Sequence, residues 1–218
     1  MSYRTVIDKV LTRLREDTIG SDWVGAISSA SEVDSYQKLI GEFVNEAKDI
    51  AEDSWNWTSL RSIETVTTSA STATYDMSNI NNRSRVLQVL DNTNDNVLKQ
   101  ISDNHFYNYT YLGSTQTANP SYYRLNDNDI SFWPTPDAVY DIKVHAVIPQ
   151  GDLTTAASTF TLPENMIVLG AYSLALAERG EDGGTTSDLA LKRFQQAISD
   201  AIAQDENRTV DETTWYAS

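Results

Sequence analysis

The sequence predicts an α+β fold, in which a four-helix bundle carries an inserted antiparallel β-rich subdomain and ends in an extended C-terminal tail. Two observations support this prediction. Apolar residues recur at helical spacing near both ends of the chain, whereas residues 58–148 are rich in Thr, Ser, Val, Tyr and Asn and contain short alternating runs. Four amphipathic helices can bury their apolar stripes against one another as a bundle.

The first two helices lie in the N-terminal part of the chain. Residues 3–16 predict an amphipathic helix, and residues 17–31 predict a connection. Ser31 is the expected N-cap of a longer helix that runs to about Asp53. In both helices apolar residues recur every three or four positions, so each helix needs a partner to cover its apolar face.

Helical character returns near the C-terminus. Residues 164–179 follow a proline and predict a helix that is apolar on nearly all sides, which favours a central position. Ser187 is the expected cap of a last helix over residues 188–205. Residues 207–218 have no helical period, so we predict that they form a flexible tail.

The middle of the chain predicts a β meander. Alternating runs occur at residues 63–67, 72–75, 86–90 and 141–148. Residues 102–112 fit either a short helix or a loop. The clearest hairpin spans residues 122–133, and four Asx residues form its turn: Asn126, Asp127, Asn128 and Asp129.

These elements predict the domain organisation. A β-rich subdomain covers residues 58–157, and it interrupts a helical core that covers residues 1–57 and 158–206. The boundaries lie where the hydrophobic period changes between the helical and the strand spacing.

The acidic composition limits the partners of the protein. The formal net charge is −15, and such a surface repels phosphate backbones, so sequence-independent DNA binding is not expected. The charge is explained either by solubility or by a surface past which DNA slides without adhering. The absence of cysteine excludes disulfides, thiolate metal sites and a cysteine nucleophile.

The sequence contains no catalytic or cofactor motif. Its two histidines, His105 and His145, lie in different contexts, and neither a nucleophile elbow nor a phosphate-binding glycine loop occurs. The segment that begins at Asp91 resembles a calcium loop but lacks the glycine and the final glutamate. Its Asp and Asn residues are explained more simply by a turn. We therefore predict that the protein is not an enzyme and holds no cofactor or metal.

Aromatic residues mark candidate packing and binding positions. Trp55, Trp57 and Trp133 close a helix or a strand, which favours core packing over the alternative of carbohydrate stacking. A second set alternates with polar residues and fits either a groove or packing against the sheet: Tyr107, Tyr109 and Tyr111.

No segment of the sequence predicts membrane insertion or export. The longest apolar stretch, residues 166–177, is too short to span a bilayer. The N-terminus has no apolar signal-peptide core. We therefore expect a soluble protein that is made in the cytosol.

Several degenerate motifs point to one protein family. Residues 130–153 read ISFWPTPDAVYDIKVHAVIPQGDL, in which a Pro-x-Pro turn joins two strands, and the triplet LPE at 162–164 then opens a buried helix. The N-terminal segment VIDKVLTRLRED and the triplet WNW at 55–57, which ends the second helix, complete the pattern. The sequence resembles the head-to-tail adaptor (connector) proteins of tailed bacteriophages, of the tail tubular protein A type.

This resemblance implies a structural virion protein at the head–tail junction, made in the host cytoplasm. Such adaptors form a dodecameric ring that joins the portal protein to the tail tube or nozzle protein, although the free subunit can be a monomer. The helical part forms the ring wall, and the β part projects outward or towards the tail. The ring extends the DNA ejection channel, and DNA passes through it without specific binding.

Two interaction sites follow when the resemblance is combined with the residues. The C-terminal segment of such adaptors commonly reaches the portal, and a twelve-residue tail can extend over roughly 40 Å. Trp215 and Tyr216 near its end are typical interface anchors, so we expect them to dock on the portal; the alternative is a disordered terminus. The Asx loop of the hairpin, residues 126–129, is expected to face the tail.

Two other functions stay open at this point. The aromatic β segment also fits a carbohydrate- or receptor-binding tail module, although such modules seldom need four flanking helices. A hydrolase would need a nucleophile context that the sequence does not show.

Overall fold

The computed structural model describes residues 1–20, 22–113, 116–180 and 184–208. The chain divides into two compact units, of which the first comprises Met1–Ser59 and Gln150–Ser218 and the second comprises Leu60–Pro149. Buried apolar side chains form an interior in each unit.

The described residues form five α-helices and seven β-strands. The helices are α1 (Tyr3–Leu14), α2 (Ser35–Asp53), α3 (Asp103–Tyr107), α4 (Glu164–Arg179) and α5 (Thr185–Glu206). The strands are β1 (Arg61–Thr67), β2 (Thr74–Asp76), β3 (Arg85–Asp91), β4 (Asn96–Gln100), β5 (Tyr122–Asn126), β6 (Asp129–Trp133) and β7 (Asp141–Val147). A π-helical turn at Asn108–Leu112 follows α3.

The predicted four-helix bundle with an inserted antiparallel subdomain is wrong. In the described residues, five helices accompany a seven-stranded sheet that is nearly closed and barrel-like. In the first unit α4 packs against α1, α2 and α5, so the helices gather around one central member. The reason is the nearly all-round apolar surface of α4, which can be buried against three neighbours at once.

Capping residues set the beginnings of the helices. Ser2 caps α1 through its side-chain oxygen. Asp34 caps α2 in place of the predicted Ser31, because Asp34 and Gln37 form a reciprocal capping box. The range predicted for α4 is confirmed, whereas α5 begins before its predicted cap, Ser187.

Gly170 allows the central helix α4 to approach two neighbouring helices closely. A Cβ atom at this position would lie 2.8 Å from the Cβ of Ala47 on α2 and 2.9 Å from the ring of Phe194 on α5. Carbon atoms in packed interiors do not approach that closely, so a larger residue would push the helices apart. The absence of a Cβ at Gly170 therefore allows both neighbouring helices to lie this close to α4.

A buried ion pair lies on the inner face of α2. Lys48 and Glu52 are fully buried, and their Nζ and Oε2 atoms lie 3.5 Å apart. The Lys48 ammonium also donates hydrogen bonds to the carbonyl oxygens of Gln150 and Gly151, at 2.8 and 3.2 Å. Lys48 thus satisfies both the buried carboxylate and two backbone acceptors of the connection that precedes α4.

The sheet of the second unit encloses a hydrophobic interior. The strand order is β1-β7-β3-β4-β5-β6-β2, and neighbouring strands are antiparallel except β4 and β5, whose parallel pairing corrects the prediction of an antiparallel subdomain. Strand β7 pairs with both β1 and β3. Inward-facing side chains of the strands form one buried cluster, which includes Val66, Val89, Leu98, Tyr123, Phe132 and Val144.

Candidate interaction surfaces

The outer face of α2 carries a row of carboxylates. Glu42, Glu46, Asp49 and Asp53 recur at i, i+4, i+7 and i+11, a spacing that aligns them along one side of a helix. The opposite side of α2 is buried. We call these four residues the acidic ridge, together with Asp152, which lines the same surface groove.

The acidic ridge is electrostatically unfavourable for the isolated chain. Like charges at i and i+4, such as Glu42 and Glu46, destabilise a helix by about 0.2–0.5 kcal/mol per pair. Neither of these carboxylates has an ion-pair partner within the described part of the chain. Burial raises the pKa of Tyr3, and the charges of Glu42 and Asp152 raise it further, so the field of the ridge reaches the interior.

A groove of about 340 Å³ lies between α1, α4 and α5. We call it the arginine groove and define it by Arg13 of α1, Leu169 and Tyr172 of α4, and Leu189 and Arg193 of α5. The guanidinium carbon of Arg13 lies 6.0 Å from the centroid of the Tyr172 ring. Among the described residues neither arginine has a carboxylate partner, although the chain has 31 acidic and 16 basic residues.

An exposed aromatic surface lies in the second unit, where the π-helical turn meets β6. Tyr109 stacks on Trp133 with ring centroids 4.4 Å apart, and Tyr107 stacks on Tyr111 at 5.9 Å. Tyr111 and Leu112 are 75% and 83% exposed. We call these five residues the aromatic surface. Packing against the sheet, one of the two alternatives for these tyrosines, is confirmed for Tyr109, whereas Tyr111 faces solvent.

The predicted Asx turn joins β5 and β6. Asp127 and Asn128 form a two-residue turn, and Asp127 adopts the left-handed conformation with a φ of 54°. The Asn128 carbonyl accepts a hydrogen bond from the Met77 amide at 3.0 Å, which ties the turn to β2. Asn126 and Asp127 are exposed, whereas Asn128 and Asp129 are half-buried. The loop thus offers two exposed polar side chains to a partner.

Surfaces of this kind suit an assembly protein. A comparison with protein families identifies the family to which the chain belongs. The model of the SU10 adaptor protein family matches residues 1–215. The chain belongs to the SU10 adaptor protein family. This confirms the resemblance to phage head-to-tail adaptors, and the protein is a phage structural adaptor. The finer assignment to the tail tubular protein A type stays a prediction. No curated protein matches the chain.

The two histidines and the Asp91 segment lie at a helix cap, in a strand and in a turn. His105 Nδ1 lies 3.0 Å from the Oγ of Ser102, the residue that caps α3, and His145 lies within β7. The Asp91 carboxylate accepts a hydrogen bond from the Asn94 amide at 3.2 Å, as the turn interpretation predicts. In the described ranges no three His, Cys, Asp or Glu side chains meet as a metal site.

Tryptophans of the adaptor divide between interior and surface. Trp57 is 2% exposed, and its Nε1 donates a hydrogen bond to the Ala51 carbonyl at 2.8 Å, which confirms the prediction of core packing for this residue. Trp133 instead belongs to the aromatic surface. The predicted portal-docking residues, Trp215 and Tyr216, lie outside the described residues.

The C-terminal helix of the adaptor ends shortly before that tail. After α5, the Asn207 side chain donates a hydrogen bond to the Ala203 carbonyl at 2.8 Å, and the Arg208 amide donates one to the Asp205 carbonyl at 3.0 Å. Residues 207 and 208 thus remain attached to the helix end. Among the helices that the structure describes, none combines the length and the apolarity that a membrane crossing requires.

Proposed function

We propose that the adaptor forms a dodecameric ring that joins the portal to the tail tube or nozzle and extends the DNA channel. The family match over residues 1–215 carries this proposal. A ring at such a junction needs separate surfaces for its own copies, for the portal and for the tail. The acidic ridge, the arginine groove, the aromatic surface and the Asx turn are candidates for these contacts.

The proposal assigns a role to each part of the chain. The helical residues 1–57 and 158–206 form the ring wall, and the β-rich residues 58–157 supply the surface towards the tail. Within that segment the tail-facing loop consists of Asn126, Asp127, Asn128 and Asp129. The net charge of −15 supports passage of DNA without adhesion, because an acidic surface repels phosphates.

Electron microscopy of the adaptor mixed with portal rings from the same phage tests this function. We expect a coaxial ring on one face of each portal, with a stoichiometry of one adaptor per portal subunit. The adaptor alone is an unsuitable reference, since the ring can require the portal as a template. Portals that stay undecorated at micromolar adaptor concentrations would contradict the proposal.

The C-terminal tail gives a more specific prediction. Truncation after Arg208 should change the free energy of unfolding by about 0.5 kcal/mol or less, because it leaves every contact among residues 1–208 in place. The same truncation should weaken portal binding by about 30-fold or more if Trp215 and Tyr216 are interface anchors. Binding can be measured by biolayer interferometry on immobilised portal rings.

A matched pair of full-length variants separates anchoring from tail length. Trp215→Ala with Tyr216→Ala should reproduce the loss seen on truncation, whereas Thr213→Ala with Thr214→Ala should retain the affinity of the unmodified adaptor. Equal affinity of all these variants for the portal would exclude the tail as the docking element, and the ring would then meet the portal through another surface.

A carbohydrate- or receptor-binding module is the second candidate function, and the aromatic surface favours it. Stacked aromatic rings exposed to solvent are a common feature of sugar-binding sites, and Tyr111 is 75% exposed. Retention of the adaptor on a glycan array, abolished by Tyr111→Ala, would support this function. The ring proposal instead expects no retention on the array.

A further inference from the structure

We infer that neighbouring copies of the adaptor bind head to tail, with the acidic ridge of one copy docked in the arginine groove of the next. This inference rests on the proposed ring and adds the two faces that close it. The occupant of each surface is therefore a second copy of the same chain.

The unpaired arginines are the first observation. Arg13 and Arg193 line one groove without a carboxylate partner in the described residues. Arg179, in the same unit, does have a carboxylate partner, Glu16. A protein with a net charge of −15 has ample carboxylates for pairing, so two arginines left together form a site that is complementary to an acidic surface.

The acidic ridge provides that complementary surface. Its carboxylates align on the side of α2 that faces away from the interior. Asp49 pairs with Lys48 at 2.7 Å, whereas Glu42 and Glu46 repel each other across one helical turn. Docking against Arg13 and Arg193 would relieve this repulsion. The alignment concentrates negative charge on one strip of surface, which is complementary to a groove that holds two arginines.

Each surface also has an apolar element. Leu189 in the arginine groove is 52% exposed, and Ile50 beside the acidic ridge is 44% exposed. An aliphatic side chain surrounded by charged residues matches the arrangement of many protein interfaces, in which an apolar centre has a polar rim. The pairing of ridge and groove would bury both leucine and isoleucine.

The position of the two surfaces sets the symmetry of the contact. The ridge lies on α2 and at Asp152, whereas the groove lies between α1, α4 and α5, so they share no residue and no helix. Two different patches that bind each other give a heterologous contact, and repetition of such a contact produces a ring when the rotation closes. A self-complementary dimer would need a single patch that binds itself.

Charge reversal tests the inference. Glu42→Lys with Glu46→Lys places lysines opposite the arginines, and Arg13→Glu with Arg193→Glu places glutamates opposite the ridge. Each variant alone should decorate portals at least about tenfold less than the unmodified adaptor, because like charges meet at every contact. Decoration is counted by electron microscopy, and circular dichroism verifies that each variant is folded.

An equimolar mixture of the two variants gives the decisive result. In an alternating ring, the lysine ridge of one variant meets the glutamate groove of the other, and the remaining contacts keep their original charges. Decoration should therefore return when the variants are mixed. The control Glu32→Lys with Glu178→Lys makes the same change in net charge as Glu42→Lys with Glu46→Lys, at exposed positions outside both surfaces, and should decorate as well as the unmodified adaptor.

The outcomes distinguish this inference from the proposed function. If the unmodified adaptor does not decorate portals, the ring itself is wrong. If it decorates portals and the reversed variants also do so alone, the ring stands and the ridge-to-groove contact is overturned; the ridge would then face the channel or solvent. If the variants fail alone and their mixture also fails, the head-to-tail pairing of these two faces is overturned.

Discussion

Replacement of Lys48 by Met is expected to lower the free energy of unfolding by about 3–5 kcal/mol. The variant removes the ion pairs of Lys48 with the fully buried Glu52 and with Asp49, and it removes the donor to the carbonyl oxygens of Gln150 and Gly151. Methionine has a similar shape, so the loss reflects the missing charge and hydrogen bonds and not a cavity. Urea denaturation followed by circular dichroism measures the change.

Two further variants test the cause of this loss. Lys38→Met, also on α2, removes a lysine that has no carboxylate partner in the described residues and should cost about 0.5 kcal/mol or less. Lys48→Met with Glu52→Leu removes both buried charges and should be more stable than Lys48→Met alone. A loss for Lys48→Met no larger than that for Lys38→Met would show that the buried pair does not stabilise the fold.

Replacement of Phe194 by Ala is expected to lower the free energy of unfolding by about 3–5 kcal/mol, as for other buried aromatic residues. Phe194 is 3% exposed, and its ring fills the space that Gly170 leaves on α4. Since α5 packs mainly against α4, loss of this ring removes the principal anchor of the helix. Hydrogen exchange should also show the largest loss of amide protection in α5.

Leu189→Ala is the matched control for that variant. Leu189 lies on the same helix but is 52% exposed, so its removal should cost about 0.5 kcal/mol or less. Similar losses for both variants would mean that α5 is held by its whole length and not by Phe194, and the close approach at Gly170 would then have no special role.

Hydrophobic period located the principal helices because each has an apolar side that must be covered. The range of α4 follows directly from its nearly continuous apolar sequence and its Pro-Glu start. The predicted N-cap of α2, Ser31, was wrong, because serine and aspartate are both good N-caps and Asp34 lies only three residues further on. The glutamine at position 37 decides between them, since it completes a capping box with Asp34.

The arrangement of the helices could not be read from the period. Amphipathicity shows that a face is buried but not against which neighbour. The all-round apolar sequence of α4 correctly predicted its central position, whereas its pairing with each of the other helices could not be predicted. Close contact at Gly170 depends on Ala47 and Phe194, which are distant in sequence. The burial of Lys48 was missed for a related reason. Its backbone acceptors, the carbonyl oxygens of Gln150 and Gly151, are about 100 residues away in sequence.

The barrel-like form of the sheet could not be predicted from the local sequence pattern. Strand β4 reads NVLKQ, in which Val97 is half exposed and only Leu98 is buried, so its alternation is weak. Its parallel pairing with β5 joins residues 99–100 to 122–123, a contact that a meander does not predict. A β meander was expected from the turns, but a barrel-like sheet requires these distant pairings.

Some of the candidate surfaces can be recognised in the sequence and others cannot. The acidic ridge is visible in the sequence once its i, i+4, i+7, i+11 spacing is noticed on α2. The arginine groove is not, because Arg13 and Arg193 come together only when α1 and α5 pack beside α4. The Asx turn was correctly placed as a hairpin loop, while its role towards the tail stays a prediction.

The most direct test of the head-to-tail role is electron microscopy of particles made when the phage lacks the adaptor gene. We expect DNA-filled or emptied heads without tails, together with unattached tails, and complete particles should return when the adaptor is supplied from a plasmid. Complete head-to-tail particles that merely fail to adsorb to the host would contradict this role and would support a receptor-binding module instead.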